Sequence, residues 1–136
     1  FVTNGSRPAD DARLTAVIDT LRREAQSRNL LFVASVDFAH VGPNFGDSFV
    51  MDSPRRDNLK TADDNLMTAI RRGDAEDFYN QIAAVQDRNR ICGFSSIYLM
   101  LRALDGVADG RCVAYDHCPA DPQDNSLVSI AGLLLD

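Results

Sequence analysis

An apolar segment, residues 30–36, in which Ser35 is the only polar residue, places the strongest constraint on how this chain can fold. A short continuous run of this kind, bounded by polar residues, predicts a strand that is covered on both faces. An amphipathic helix is predicted directly before it, from the Asp10-Asp11 pair to about Asn29, with apolar residues at helical spacing. A helix followed by a buried strand is typical of the α/β class.

The rest of the chain contains more predicted helices than strands. The spacing of apolar residues predicts helices from about Asp57 to Gly73, from Asp74 through Val85, and over residues 91–104. Strands are predicted over residues 111–115 and 127–135. A sheet with so few strands leaves open edges, which natural domains avoid, so we expect a sheet that is short of partners.

Length, charge and cysteine content exclude several classes of protein. The 136 residues suffice for one compact domain. There are 14 basic and 20 acidic residues and no basic cluster, so we expect no nucleic-acid partner. No apolar run approaches the ~20 residues of a membrane span, so we expect no membrane partner either. Three cysteines without a C-x-x-C pair indicate free thiols, and we expect a cytoplasmic protein.

Two residues just after the apolar segment, Asp37 and His40, are the first candidates for a functional site. Open α/β sheets bind ligands at the carboxyl ends of their strands. Imidazole is suited to proton transfer near neutral pH, and a nearby carboxylate can orient it. The alternative is that Asp37 caps a turn and His40 is an ordinary loop histidine. Motifs for dinucleotides, the P-loop, H-E-x-x-H and the serine hydrolase elbow are absent from the sequence.

His117 and Cys118 form a second candidate site, just beyond the strand predicted over residues 111–115. A thiolate beside an imidazole can bind a soft or borderline metal ion or act as a nucleophile. Neighbouring side chains often point in different directions, so the two need not share a ligand, and a simple turn is the alternative. We expect the other cysteines, Cys92 and Cys112, to be core residues.

Three motifs in a fixed order resemble the carboxyl-terminal half of the Memo-like family, also called AmmeMemoRadiSam system protein B. The motifs are Asp37-Phe38-Ala39-His40 within residues 33–42, Arg90-Ile91-Cys92-Gly93, and Gln123-Asp124-Asn125-Ser126. The resemblance covers residues 30–135. It implies the fold of the class III extradiol dioxygenases, a three-layer α/β arrangement of a mixed sheet with helices on both faces. Residues 1–136 would then be the carboxyl-terminal part of one Memo-like domain.

The same resemblance implies roles for individual residues. Asp37 and His40 match an active-site Asp and His of the family, Cys118 matches its metal-binding cysteine, and Cys92 matches a cysteine that we interpret as structural. Cys118 aligns only with a one-residue insertion before Gln123, which leaves His117 as a competitor. The remaining metal ligands of the family are histidines in its amino-terminal half, which this chain does not contain. After Gly93 the usual Arg-His-Pro of the family is replaced by residues 94–96, Phe-Ser-Ser.

Two functions from different classes follow from this resemblance. The first is a metal-dependent redox or dioxygenase-like activity, with Fe(II) or copper at an incomplete site that is shared with the amino-terminal half. The alternative is a non-catalytic protein that binds a peptide or a small molecule on a dioxygenase-like scaffold, because fold does not determine function. A third reading is a structural half that is inert by itself.

Overall fold

The computed structural model describes residue 2 and residues 5–104 and 109–135. Within these residues, four α-helices, three strands and two short 3₁₀ turns follow each other. The helices are α1 (Ala12–Ser27), α2 (Ser53–Arg71), α3 (Ala75–Ala84) and α4 (Phe94–Leu104); the strands are β1 (His40–Val41), β2 (Gly110–Pro119) and β3 (Leu127–Leu135); the turns are Pro8–Asp10 and Pro43–Phe45.

Aspartate side chains at the helix N-termini explain where three of the helices begin. Asp11, Asp52 and Asp74 each accept hydrogen bonds from backbone N–H groups in the first turn of α1, α2 and α3. The cap at Asp52, with Pro54 in the first turn, starts α2 four residues before the predicted Asp57. Helix α4 begins at Phe94, three residues after its predicted start at residue 91.

The three strands form an antiparallel sheet in the order β1-β3-β2. His40 pairs with Val128 of β3, and β2 runs beside β3 from Gly110 opposite Leu135 to Pro119 opposite Leu127. Helix α2 packs against β2 and β3. The α/β class is confirmed, and so are two of the three strand predictions, those over residues 111–115 and 127–135. The sheet itself is antiparallel within the described residues rather than mixed, because β2 and β3 are joined as a hairpin.

The apolar segment of residues 30–36 forms no strand in the structure, so this prediction is wrong. Leu31 and Val33 are 87% and 73% exposed, whereas a doubly covered strand would bury both. The segment lines a groove of about 400 Å³ together with α4 and the end of β3. A strand of this kind needs a neighbouring strand to pair with, and among the described residues no strand pairs with this segment.

The core lies among the helices and the buried face of the sheet. Phe78 of α3 and Tyr98 of α4 are almost completely buried, and their rings pack around Phe94 at centroid distances of 6.2 and 6.0 Å. Leu127 of β3 is also fully buried. The helices are short or polar on one side, and none within the described ranges combines the length and the apolar character that crossing a bilayer requires.

Candidate metal centre

Two segments that are distant in the sequence lie side by side and carry the candidate site. Three backbone hydrogen bonds join them: Gly93 N–H to the Asp37 carbonyl (3.0 Å), Cys92 N–H to the Phe38 carbonyl (3.3 Å) and His40 N–H to the Asn89 carbonyl (2.8 Å). Bonds of this kind fix the separation of the two backbones. The side chains of residues 37–40 and 89–93 are therefore held next to each other by the main chain.

Gly93 permits this close approach because it has no side chain. A Cβ at this position would lie 2.7 Å from the Asp37 carbonyl oxygen, 2.7 Å from Val36 Cγ2 and 2.9 Å from Ile97 Cδ1. Non-bonded carbon atoms normally stay roughly 3.5–4.0 Å apart. The Cys92-Gly93 pair is therefore a packing requirement of the site and not only a sequence motif.

A partly buried ion pair fastens the loop after His40 to the segment that carries Cys92. Arg90 donates to both carboxylate oxygens of Asp47, at 2.8 and 3.1 Å, and also to the His40 carbonyl at 3.1 Å. Asp47 in turn accepts the Gly42 N–H at 2.8 Å. The hydrogen bond from Arg90 is the main reason why the pKa of Asp47 is lowered, against the opposing effect of burial. The pair stabilises one relative position of the two segments.

Asp37, His40 and Cys92 come together at this junction. A carboxylate oxygen, an imidazole nitrogen and the Cys92 sulfur all lie within 4.8 Å of one another. His40 Nε2 is 4.0 Å from Asp37 Oδ2, and Cys92 Sγ is 3.6 Å from the Asp37 carbonyl oxygen. Asp37 and Cys92 are exposed and His40 is half-buried. The expectation that Cys92 is a core residue is wrong, because the chain turns at Arg90 and places the thiol outside α4.

The surroundings of His40 determine which ring nitrogen is free. Nδ1 lies 3.3 Å from the carbonyl oxygens of Phe38 and Arg90, and Phe45 packs edge-on against the ring. Carbonyl oxygens only accept hydrogen bonds, so we assign the proton of the neutral ring to Nδ1. The free lone pair is then on Nε2, the nitrogen that lies 4.0 Å from Asp37 Oδ2. Metal-binding histidines usually have this arrangement, with one nitrogen donating to a carbonyl and the other free for the ion.

The strand register places Cys118 and His117 on opposite faces of the sheet. His40 and Cys118 are both opposite Val128, on its two sides, so their side chains share one face at a backbone separation of about 10 Å. His117 is opposite Ser129 and belongs to the face that packs against α2. Cys118 is exposed. Within the described residues the compact group of donors contains Cys92 and not Cys118.

Some of these residues gave no sequence signal for the site. Cys92 and Arg90 are about 50 positions from His40, and no spacing rule relates them. Cys112 was expected in the core but is exposed, because β2 is an edge strand. The Cys-Gly motif is the feature that could have suggested a close contact, since glycine is favoured where backbones approach each other.

Comparison with known proteins agrees with the motifs. The family model described as Memo-like protein matches residues 6–134. A curated "MEMO1 family protein" of Aquifex aeolicus is 34% identical over 110 residues, which cover 79% of this chain. The matched region spans only 28% of the length of that relative. Because the family model matches almost the whole sequence, this chain belongs to the Memo-like family.

Proposed function

We propose that this chain contributes part of a metal-dependent redox centre that uses iron or copper. The observation that supports the proposal is the convergence of Asp37, His40 and Cys92 within 4.8 Å. A carboxylate, the free lone pair of Nε2 and a thiolate are all electron-pair donors, and one cation lying among them would bind all three. The proposal is more specific than the assignment to a family. It applies to the complete Memo-like protein, to which this chain contributes.

The donor set is chemically suited to a transition metal. Imidazole and carboxylate bind iron, copper and zinc, and a thiolate favours the softer ions among these. Bound to such ligands with open positions, iron or copper would supply one-electron or oxygen chemistry. Ligand atoms around one ion lie roughly 3–4 Å apart, given bond lengths of about 2.0–2.3 Å. Small rotations of the exposed Asp37 and Cys92 side chains would bring the three ligand atoms to these separations.

The roles of Asp37 and His40 have two assignments within this proposal. In the first, both bind the metal, with Nδ1 of His40 donating to backbone carbonyls. In the second, which the family resemblance favours, His40 transfers protons through Nε2, Asp37 orients the ring, and Cys118 is the metal ligand. The two differ in a measurable way, because an Nε2 that binds a metal carries no proton. Cys118 shares the His40 face of the sheet, which supports its participation in either case.

The amino-terminal half of the same polypeptide would supply further ligands for the metal and would cover the apolar groove. Three ligands leave coordination positions open. The groove beside residues 30–36 exposes Leu30, Leu31, Val33 and Leu134, and apolar surface of this kind is favourably covered by protein. The matched relative is several times longer than the matched region, which supports a partner of this kind. The three free cysteines support a reducing compartment, and we propose the cytoplasm.

An anaerobic titration with Fe(II) and Cu(I) tests the proposal, with the longest natural polypeptide that contains this segment. The variants are Cys92→Ser and Cys118→Ser, with Cys112→Ser as the matched control for an exposed thiol outside the site. We expect one ion per chain, unchanged affinity in the control, and at least tenfold weaker binding in one of the two site variants. Equal affinity in all four proteins, or no binding, would exclude a thiolate-containing metal centre.

The alternative function is binding of an apolar peptide or small molecule without catalysis. The observation that favours it is the groove of about 400 Å³ lined by residues 30–36, Ile97, Met100 and the end of β3. This volume lies within the range of small-molecule sites. Protection of this segment from hydrogen exchange by a ligand, in the absence of metal, would support the alternative. Protection only after metal loading would support the metal centre.

A further inference from the structure

Two adjoining cavities lie along helix α2 and together form what we call the α2 groove. Each has a volume of about 280 Å³, and they share Ala62 of α2 with Arg88 and Asn89 of the loop after α3. Val41 lines the first cavity and follows His40 in β1, so these two side chains point to opposite faces of the sheet. The α2 groove is therefore separate from the proposed metal centre.

The first cavity has an apolar floor that is already formed. Val41 of β1, Met51 before α2 and Leu59 of α2 line it, and all three are buried. Phe49 also lines it, and the guanidinium of Arg55 lies 5.1 Å from the centre of the Phe49 ring. Preformed apolar walls with a small number of polar groups are typical of sites for small molecules.

Polar side chains without partners line the same cavity. Within the described residues, the carboxamides of Asn58 and Asn89 make no hydrogen bond, and the guanidinium of Arg88 makes neither a hydrogen bond nor an ion pair. A guanidinium carries five N–H donors, and each carboxamide carries two more. These donors are free for a ligand.

The other arginines near the cavity already have carboxylate partners. Arg55 pairs with Asp52 at the start of α2, and Arg90 pairs with Asp47. The hydrogen bond from Arg90 is the main cause of the lowered pKa of Asp47, and Arg88 makes only a smaller electrostatic contribution to it. Asp52 and Asp47 therefore leave the charge of Arg88 without an ion pair.

Acidic residues on the loop and on α2 form no ion pair with Arg88 either. Asp87 lines the second cavity, and its Oδ1 accepts the N–H of Ile91 at 2.8 Å. Asp63 of α2 is fully buried and accepts a hydrogen bond from the Tyr115 hydroxyl at 2.7 Å. Burial raises the pKa of Asp63, which favours its neutral form. The first cavity thus presents one unpaired positive charge to a ligand.

The loop that carries Arg88 has an uncommon backbone conformation. Gln86, Asp87 and Arg90 have φ values of 51°, 50° and 52°, in a region that residues other than glycine seldom adopt. Such conformations persist where the surrounding structure imposes them, and they cluster at ligand sites. Two backbone hydrogen bonds, from Asp87 to the Ile82 carbonyl (2.9 Å) and from Arg90 to the Asp87 carbonyl (2.8 Å), hold the loop against α3. The backbone of Arg88 is therefore fixed beside both cavities.

We propose that the α2 groove binds a small monocarboxylate with an apolar body. The carboxylate pairs with Arg88 and accepts hydrogen bonds from the carboxamides of Asn58 and Asn89. The apolar body lies on the floor of the first cavity. A volume of about 280 Å³ is at the lower end for small-molecule sites, so the ligand is small. The site needs no metal, so it stands or falls independently of the proposed redox function.

Titration with two matched probes tests the site in the longest natural polypeptide that contains this segment, without metal. The probes are 1-naphthaleneacetate and 2-(1-naphthyl)ethanol, which share an apolar body and differ in charge. Calorimetry gives the affinities, and amide ¹H–¹⁵N spectra give the location. We expect the carboxylate to bind about tenfold more tightly, because a hydrogen bond to a charged group contributes roughly this factor. The amide shifts should concentrate in residues 55–62 and 86–91.

Three variants separate the charge from the cavity. Arg88→Met removes the charge at a similar side-chain length, and we expect the tenfold preference for the carboxylate to disappear. The matched control is Arg111→Met, because Arg111 of β2 is also exposed and makes no ion pair within the described residues. It should keep the preference. Ala62→Leu fills the space between the two cavities and should weaken both probes about tenfold.

Four results would overturn the proposal. They are no binding of either probe, equal affinity of the two probes in the unmodified protein, a preference that survives in Arg88→Met as in its control, and amide shifts confined to residues 30–36. Arg88 is exposed and Ala62 is half-buried, so we expect these variants to fold. Unchanged amide spectra away from the α2 groove identify the folded variants, and Arg88→Met decides the outcome if Ala62→Leu does not fold.

Discussion

Replacement of Gly93 by alanine should weaken both the fold and the proposed metal centre. The new Cβ would be 2.7 Å from the Asp37 carbonyl oxygen and from Val36 Cγ2, so one backbone or the other must move. Overpacking of this kind costs about 1–3 kcal/mol, and a strained hydrogen bond from Gly93 to Asp37 costs about 1 kcal/mol more. Alanine also lowers the conformational entropy of the unfolded chain, and this stabilises the folded protein by about 0.4–1 kcal/mol. We therefore expect a net loss of about 2 kcal/mol.

Thermal unfolding and metal titration measure the two effects of Gly93→Ala. For a chain of this size about 2 kcal/mol corresponds to a decrease in Tm of about 8 °C. Fe(II) affinity should fall as well, because the substitution separates Cys92 from Asp37. The matched control is Gly132→Ala in β3, whose Cβ would lie 3.0 Å from the exposed Val113 side chain and at an ordinary contact distance of 3.9 Å from Ala114. We expect its Tm to stay within about 2 °C of the unmodified protein.

The reasoning fails if Gly93→Ala behaves like its control. A Tm and an Fe(II) affinity that match those of Gly132→Ala would mean that the two segments have room to separate without consequence. A fall in Tm alone, with unchanged affinity, would leave the packing argument intact but would refute the claim that this contact positions the donors. Measuring both quantities in one preparation separates these outcomes.

Three further predictions concern charge and thiol chemistry. Arg90→Met should lower the unfolding free energy by about 1–2 kcal/mol at neutral pH. The difference should shrink in acid, because the stability from Asp47 is present above its ordinary pKa of 3.8 and is lost as pH falls through the lowered pKa. Asp63→Asn should abolish a loss of stability that occurs as pH rises from 3.8 through the raised pKa of Asp63, as urea unfolding at several pH values would measure. Stoichiometric Fe(II) should slow alkylation of Cys92, followed by mass spectrometry, and leave Cys112 unchanged.

Each of these predictions has a definite contradicting result. For Arg90→Met it is a stability difference that persists unchanged at pH 2. For Asp63→Asn it is a stability profile parallel to that of the unmodified protein over the whole acid and neutral range. For the thiols it is equal protection of Cys92 and Cys112, which would indicate non-specific binding of the metal by exposed sulfur.

Local sequence patterns predict the helices and the last strand because these depend on neighbouring residues. Helix α1 and strand β3 follow directly from apolar spacing, and α3 begins at its predicted aspartate cap. The segment of residues 30–36 shows the limit of this approach. A continuous apolar run indicates that the segment is buried. Whether it is buried depends on which strands lie beside it. The pattern alone cannot tell whether those neighbours lie within the same 136 residues.

The sequence predicts only those residues of the candidate site that lie close together in the chain. Asp37 and His40 are three positions apart and follow an apolar run, so sequence reasoning finds them. Cys92 joins them through long-range backbone hydrogen bonds, and a cysteine before a glycine at a helix start is more often a packing feature. Asp63 is a similar case. It lies in a helix rich in charged residues, and only its burial against β2 distinguishes it from its exposed neighbours.

The position of the site has a consequence for the order in which the molecule folds. His40 and Arg90 are 50 positions apart, and α2 and α3 occupy most of the chain between them. Local helical contacts form early, whereas contacts that close a long stretch of chain wait until its entropy has been reduced. The donors therefore meet only after the intervening helices have packed. Because the entropy of loop closure rises by only about 0.6 kcal/mol for each doubling of length, the connection between α2 and α3 can lengthen without greatly weakening the junction that holds the donors.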